Sequence, residues 1–333
     1  MLEASIAILI GFAGLIWSAD QFVAGAAATA KNFGMAPIMI GLTIVALGTS
    51  APEIIVSISA SLDNAGELAV GNALGSNLAN IGLVLGITAL VTPIPISPNT
   101  LRREIPLLLI ATISASYFFY NSALSITDGI LMLAMLAVIF GILVRSKSHQ
   151  PDAEQEADVE HIPDLAQGKA WLLLIVGLLL LIGSSQLLVW GAKSIALELG
   201  VSELVIGLTV VAVGTSLPEL AATVASAIKG HHDIAIGNVV GSNLFNLLAV
   251  TAMPALIAPT TLEPEVFGRD YIAMAGVTLL LAGMLYGHKL WARQSKPKSD
   301  VQAYKRTHLG RIAGSMLLFS YAAYYYLLFS VHA

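Results

Sequence analysis

Long apolar runs alternate with short polar breaks along the whole chain. A helix needs about 20 apolar residues to cross the hydrocarbon core of a bilayer, and the runs lack the period-two alternation of barrel strands. The pattern therefore predicts an all-α membrane protein with ten transmembrane helices. The ten runs cover approximately residues 3–31, 37–62, 68–91, 104–122, 125–144, 170–197, 203–228, 234–258, 268–287 and 310–330.

The composition favours lipid as the surrounding solvent. Of the 333 residues, 56% are hydrophobic and 11% are charged, whereas soluble domains carry about 25% charged residues. So few charges cannot cover a water-soluble body of this size. We expect a multi-pass protein of the cell membrane, of the prokaryotic inner-membrane type, with the lipid bilayer as its partner. Neither a nucleic acid nor an obligatory protein partner is implied.

The basic residues predict the orientation. If the N-terminus lies outside, fourteen of the sixteen Lys and Arg residues fall on the inner side, and Lys193 and Arg269 fall outside. Both termini are therefore expected outside. The segment Met1–Ser5 has no basic residue, which is atypical of a secretory signal, so the first run is interpreted as a retained helix. The absence of cysteine excludes disulfides and thiolate metal sites.

The longest polar stretch divides the chain. It runs from Arg145 to Lys169 and carries six acidic residues. We interpret it as a solvated acidic linker on the cytoplasmic side, at 146–168, between a first five-helix repeat at 1–145 and a second at 169–333. The alternative is a regulatory cation-binding loop, although the stretch is too short to fold into a sensor domain.

An internal repeat at an offset of 166 residues is the most informative feature of the sequence. Residues 41–93 align with 207–259 without a gap, and 22 of the 53 positions are identical. The matches include glycine, threonine, serine, proline, glutamate and asparagine, which similar apolar helices do not share by chance. Because five helices is an odd number, the second half must enter the membrane from the opposite side. This predicts an inverted repeat, an architecture of secondary transporters.

Two glutamates stand alone in the apolar interior of the repeat. Glu53 is the one charged residue of 37–62, and Glu219 is isolated in the same way within 204–228. A charge at bilayer depth costs about 3 kcal/mol on insertion scales, so such a residue is a functional hypothesis by default. A protonated structural glutamate is the alternative.

Oxygen-bearing side chains recur at helical spacing near the glutamates. Thr49 lies one turn before Glu53, and Ser76 and Asn80 have the same spacing on the next helix. Oxygen ligands suit the hard cations calcium, sodium and magnesium, of which magnesium loses its water reluctantly. The second half repeats these positions at Thr215, Ser242 and Asn246.

Each glutamate directly follows a proline. Pro52 and Pro218 cannot donate to the carbonyl four residues earlier, so each should kink its helix. Carbonyls freed near Ala46 and Ala212 are expected to face a polar cavity, where broken helices are tolerated. The two carboxylates supply a charge of −2, which one Ca²⁺ or two Na⁺ would neutralise. The two ions would then compete for the same oxygens, as exchange requires.

The two copies of Gly-Thr-Ser-x-Pro-Glu, each followed by Gly-Asn-x-x-Gly-Ser-Asn-x-x-Asn, closely resemble the alpha repeats of the sodium/calcium exchanger family, within the cation/calcium antiporter superfamily. The resemblance implies antiport of Ca²⁺ against Na⁺ without a cofactor, with the first helix of each half sliding across the site. It implies that the glutamates ligate both ions, that threonine carbonyls bind Ca²⁺, that serines and alanine carbonyls line Na⁺ sites, and that asparagines complete the centre. The implied residues are Glu53, Glu219, Thr49, Thr215, Ser50, Ser216, Ser76, Ser242, Asn80, Asn246, Ala46 and Ala212.

Other functions stay open on the sequence. A proton-coupled calcium antiporter is the main alternative, although the Gly-Asn-x-x-Glu pattern of that branch is absent. A passive channel is disfavoured by the inverted repeat. An intramembrane hydrolase using Ser50 or Ser216 would need a base, and the seven histidines fall in loops or near ends, so an enzyme is not expected. Some relatives, including potassium-dependent ones, carry Asp at the position of Asn246. Asp20, whose counterpart is Gln186, is interpreted as a gate, a proton site or a local hydrogen-bond partner.

Overall fold

The computed structural model describes residues 1–147, 164–200, 210, 212–295 and 307–332, and most of them are helical. The predicted acidic linker falls mostly outside these residues. The helices are α1 (Leu2–Asn32), α2 (Pro37–Ile40), α3 (Ala46–Thr49), α4 (Ala51–Leu62), α5 (Gly66–Ala79), α6 (Gly86–Val91), α7 (Ile105–Tyr120), α8 (Ile126–Lys147), α9 (Gln167–Glu198), α10 (Ala212–Thr215), α11 (Leu217–Ile228), α12 (His232–Phe245), α13 (Ala252–Ile257), α14 (Ile272–Ser295) and α15 (Arg311–His332). π-helical turns occur at Gly41–Val45, Asn80–Leu85, Thr100–Glu104, Asn246–Val250 and Val266–Tyr271.

The predicted helix breaks occur at the same position of both repeats. α3 ends at Thr49 and α4 begins at Ala51, and the helical segments on either side of this break are bent by 44°. In the second half, α10 ends at Thr215 and α11 begins at Leu217. Proline is tolerated in the first turn of a helix because its missing N–H has no partner there. Each proline therefore starts a new helix that it could not continue.

The helix boundaries repeat at the offset seen in the sequence. α5 and α12 both have 14 residues, and each passes into a π-helical turn at the repeated asparagine, Asn80 or Asn246. In the second of these turns the backbone nitrogen of Thr251 bonds to the carbonyl of Asn246 at 3.2 Å, five residues back. Such turns occur frequently at functional sites.

The apolar helices are long enough for a membrane protein. Six spans of the described residues are long and apolar enough to cross a bilayer, or seven if the bent pair from Pro37 to Leu62 counts as one span. Their surfaces carry many exposed Leu, Ile and Phe side chains, as contact with lipid tails requires. The number of ten crossings stays a prediction.

Contacts group the chain into two compact units, the first of which comprises Met1–Pro52 and Pro151–Asn238. Within it, α1 and α9 pack antiparallel at glycines. A Cβ atom at Gly11 would lie 2.8 Å from the backbone nitrogen of Leu188, and one at Gly177 would lie 2.6 Å from that of Phe22. Gly11 and Gly177 are 166 residues apart, as are Phe22 and Leu188. The two helices therefore make reciprocal contacts through equivalent residues.

The second unit comprises Glu53–Gln150 and Val239–Ala333, and its described residues include four short strands. β1 (Ile94–Ile96) pairs antiparallel with β4 (Thr307–Leu309), and β2 (Ala123–Leu124) pairs with β3 (Thr260–Thr261). The sequence pattern did not predict these strands. They are two or three residues long and lie in loops, where residues such as the prolines around β1 prevent helix. The all-α class is therefore unaffected.

Candidate functional site

In the first unit, Glu219 lies in the first turn of α11, directly after the helix break. Its side chain is fully buried. The hydroxyl of Ser50, at the break after α3, donates a hydrogen bond to Glu219 Oε1 at 3.3 Å. The interruption of both helices allows this approach, because the serine stands in the gap between α3 and α4. A serine of the first repeat and a glutamate of the second thus form one hydrogen-bonded pair.

Asn238 of α12 connects the residues around this pair. Its Nδ2 donates to the hydroxyl of Thr223 at 2.9 Å and to the carbonyl of Glu219 at 3.4 Å. Its Oδ1 accepts a hydrogen bond from the hydroxyl of Thr49 at 3.1 Å. One buried amide therefore joins α3, α11 and α12 next to the carboxylate. Asn238 belongs to the repeated Gly-Asn motif, but the spacing of the motif did not predict these contacts.

The remaining predicted residues of the first unit lie beside the two helix breaks, between α3 and α4 and between α10 and α11. Ser216 is buried, and its Oγ has no hydrogen-bond partner within the described part of the chain. Thr215 and Ala212 are the last and first residues of α10. The carbonyl of Ala46 accepts the backbone nitrogen of Ser50 at 3.0 Å and the Thr49 hydroxyl at 3.4 Å. A cation at this carbonyl would therefore share its lone pairs with these donors.

In the second unit, Glu53 lies in the first turn of α4 and is fully buried. The hydroxyl of Ser76 on α5 faces Glu53 Oε1 at 3.5 Å. Several buried polar atoms have no hydrogen-bond partner among the described residues. They are Glu53 Oε2 and the Oδ1 and Nδ2 atoms of Asn80 and Asn246. An unsatisfied buried polar atom costs about 1–3 kcal/mol, and buried groups of this kind are otherwise paired. These oxygens are therefore suited to bind a polar ligand.

Two further asparagines sit at equivalent positions of the repeat and touch each other. Asn77 Nδ2 donates to the carbonyl of Asn243 at 3.2 Å, and Asn243 Nδ2 donates to the carbonyl of Val239 at 2.8 Å. Asn77 and Asn243 are each 1% exposed, so these bonds lie in the buried interior. They hold α5 against α12, the helices that carry Ser76 and Ser242. The repeated motif contained both asparagines, but their contact was not predictable from it.

The charges of the candidate site come from glutamate alone. No group of three or more His, Cys, Asp or Glu side chains that could hold a metal occurs in the described ranges. The predicted serines, threonines and asparagines are neutral oxygen donors. The arrangement therefore fits a hard cation that is bound through few charges and many neutral oxygens, and it does not resemble a thiolate or imidazole metal centre.

Comparison with known proteins assigns the family. The family model described as "Sodium/calcium exchanger protein" matches residues 4–145 and 169–330. The chain belongs to the sodium/calcium exchanger protein family. The match leaves out residues 146–168.

Individual members of the sodium/calcium exchanger family match over most of the chain. The CaxA protein of Alkalimonas amylolytica is 42% identical over 333 residues, which are 99% of this chain and 100% of that protein. The sodium/calcium exchanger MaX1 of Methanosarcina acetivorans is 29% identical over 82% of this chain and 89% of its own length. The solved structure of the sodium-calcium exchanger NCX_Mj soaked with 10 mM Na⁺ superimposes with a TM-score of 0.79 and 30% identity, covering 97% of each chain. MaX1 and NCX_Mj are named as sodium/calcium exchangers, and none of the three relatives is named as an enzyme.

Proposed function

We propose that the chain is a secondary-active antiporter that exchanges Ca²⁺ for Na⁺ across the membrane by alternating access. The observation that carries the proposal is the pair of fully buried glutamates at equivalent repeat positions, each beside a serine hydroxyl. Glu219 lies 3.3 Å from Ser50, and Glu53 lies 3.5 Å from Ser76. A buried carboxylate is stabilised by hydroxyl donors and by a cation, and a transported cation supplies that charge. The names of MaX1 and NCX_Mj support the choice of ions.

The proposed ligands have different roles in binding the two ions. Glu53 and Glu219 provide the negative charge and ligate Ca²⁺ and Na⁺ in turn. The serine hydroxyls and the carbonyls near the helix breaks supply neutral oxygens for Na⁺, and the threonine carbonyls supply them for Ca²⁺. The buried amide oxygens of Asn80 and Asn246 complete the coordination. The full set is Glu53, Glu219, Thr49, Thr215, Ser50, Ser216, Ser76, Ser242, Asn80, Asn246, Ala46 and Ala212.

The proposed architecture is a ten-helix protein built from two inverted five-helix halves, at 1–145 and 169–333, joined by the cytoplasmic linker at 146–168. The antiparallel packing of α1 on α9 through equivalent residues supports an inversion between the halves, because parallel copies could not make reciprocal contacts of this kind. Both termini lie outside, following the distribution of Lys and Arg. The membrane is proposed to be the inner membrane of a prokaryote.

Uptake of radioactive calcium into proteoliposomes tests the function. Vesicles loaded with Na⁺ are diluted into Na⁺-free buffer, with and without a sodium ionophore. We expect uptake that needs the Na⁺ gradient and collapses with the ionophore. Glu53→Gln and Glu219→Gln keep the size of the side chain and remove its charge, so each should abolish uptake. Glu3→Gln, an exposed position in the first turn of α1, is the control and should transport as the wild type does.

The same vesicles separate the alternative couplings. Uptake that ignores Na⁺ but follows a pH gradient would retain the glutamates as the site and replace Na⁺ by protons as the driving ion. Uptake that does not saturate with Ca²⁺ would indicate a channel. Normal uptake in both glutamine variants would disprove the proposed site.

A further inference from the structure

An ion pair joins the first helix to the helix that carries Glu219. Asp20 lies in the interior of α1, and Lys229 is the residue directly after the end of α11. Lys229 Nζ is 2.6 Å from Asp20 Oδ1 and also donates to the Asp20 carbonyl at 3.1 Å. One lysine thus makes two bonds to a single turn of α1. It contacts the backbone as well as the carboxylate, which fixes the position of α11 along α1.

A second bond holds the other end of the same broken helix. Ser185 of α9 is 4% exposed, and its hydroxyl donates to the carbonyl of Gly214 in α10 at 2.9 Å. Pro218, four residues later, has no N–H to offer that carbonyl. The serine therefore satisfies a backbone group that the proline leaves without its helical partner. Together the two bonds attach the broken helix of the second half to α1 and α9.

The first half has no residues that could make the same two bonds. The counterparts of Asp20 and Lys229, 166 residues away, are Gln186 and Asp63. An amide and a carboxylate cannot form an ion pair. The counterpart of Ser185 is Ala19, which has no hydroxyl to donate. The two halves therefore differ in residue type at the positions that attach the glutamate-bearing helix of the second half to α1 and α9.

In an inverted-repeat carrier, the two access states arise when the two halves exchange conformations. If both halves had the same sequence, the two states would have the same energy. A bond available to one half alone makes the states unequal.

We propose that Asp20 and Lys229 are positioning residues of the transport cycle, whose ion pair stabilises one access state over the other and so sets different apparent affinities at the two membrane faces. This inference rests on the proposed alternating-access function. The pair lines a groove of about 490 Å³ that Trp17 and Ala225 also line. The Asp20 and Lys229 side chains are 51% and 30% exposed. Ion pairs at such sites contribute little, so the expected bias is about two- to fivefold.

Transport measured separately at each membrane face tests the pair. Asp20→Asn and Lys229→Gln should each raise the KM for Ca²⁺ at one face and lower it at the other, changing the ratio of the two values about two- to fivefold. The double variant should change the ratio no more than the larger single change, because both substitutions remove the same bond. Lys193→Gln, an exposed lysine on α9, is the control and should leave the ratio unchanged. A parallel rise of KM at both faces, additive effects in the double variant, or an unchanged ratio would each overturn the proposal.

A second measurement does not depend on transport. The chain has no cysteine, so Ala225→Cys introduces a single thiol into the groove beside the ion pair. Its labelling rate by a charged thiol reagent should rise about two- to fivefold when Asp20→Asn is added. An unchanged rate would refute the role of the pair even if transport proceeds normally. If the wild type shows no Na⁺-dependent Ca²⁺ exchange, the proposed function fails, whereas the labelling rate still reports whether the pair holds α1 on α11.

Discussion

The hydroxyl of Ser50 donates a hydrogen bond to the carboxylate of Glu219, although the two residues are 169 positions apart. Ser50 belongs to the first copy of the repeated motif and Glu219 to the second. Residues from the two copies of the motif are therefore in direct contact in the folded chain. Because the bond joins a hydroxyl to a buried acidic side chain, it holds one carboxylate oxygen in a fixed orientation.

Removal of the Ser50 hydroxyl should weaken cation binding. A hydrogen bond to a charged group contributes about 1.5–3 kcal/mol, so we expect Ser50→Ala to raise the KM for Ca²⁺ roughly tenfold or more. Na⁺-dependent uptake at varied Ca²⁺ concentration measures the change. Ser59→Ala, at an exposed position of α4, should leave KM unchanged. Equal KM values in Ser50→Ala and wild type would show that this hydroxyl does not serve the site.

Asn238 should affect both transport and stability. Asn238→Ala removes one hydrogen bond from each of three groups, the Thr49 hydroxyl, the Thr223 hydroxyl and the Glu219 carbonyl. Each intramolecular hydrogen bond contributes about 0.5–1.5 kcal/mol to stability. We expect a lower unfolding temperature in detergent and at least a tenfold loss of transport. Asn238→Asp keeps the acceptor for Thr49 but puts a carboxylate oxygen against the Glu219 carbonyl and buries an unpaired charge, so its unfolding temperature should be no higher than that of Asn238→Ala. An alanine variant with wild-type transport would refute the positioning role.

A third carboxylate at the site should change its affinity. Asn246→Asp keeps the size of the side chain and adds one negative charge next to buried oxygens. Since stronger attraction slows release, we expect a KM for Ca²⁺ several-fold lower and a lower maximal rate. The matched variant Asn80→Asp should behave in the same way, because it occupies the equivalent repeat position.

Ca²⁺-dependent stabilisation measures the affinity of these aspartate variants directly. A cation that binds the folded protein raises its unfolding temperature, so Ca²⁺ should raise it more in both variants than in wild type. Asn64→Asp is the control, since Asn64 is an exposed residue with a left-handed backbone (φ of 57°) that aspartate also tolerates. A weaker Ca²⁺ response in both site variants would show that these amides do not face the cation.

The packing of α1 on α9 should be sensitive to a single methyl group. A Cβ at Gly177 would lie 2.6 Å from the backbone nitrogen of Phe22, which cannot move as a side chain could. Overpacking of this kind costs about 1–3 kcal/mol, so Gly177→Ala should lower the unfolding temperature by several degrees. Gly183→Ala lies on the same helix with no atom near the added methyl group, and alanine favours helix over glycine. It should be neutral or stabilising, and a similar loss in both variants would disprove the packing argument.

The local features of the site were predictable from the sequence because each depends on neighbouring residues. Pro52 and Pro218 cannot continue a helix, and the structure breaks both helices next to them. Glu53 and Glu219 are isolated in apolar runs, and both are fully buried. The short strands were missed because pairs such as Ile94 with Leu309 join distant loops, for which the chain carries no periodic signal.

The sequence by itself determined the apolar helices, the repeat at 166 residues, the two helix breaks and the chemical types of the site residues. These follow from hydropathy, spacing and the missing N–H of proline, all of which act over a few residues. The tertiary structure decided which groups meet. Thr49 bonds to Asn238 across 189 positions, and Lys229 bonds to Asp20 across 209. Such pairs arise from the packing of whole helices. The repeat shows that the counterparts of Asp20 and Lys229 cannot form an ion pair, but the folded chain alone brings Asp20 and Lys229 into contact.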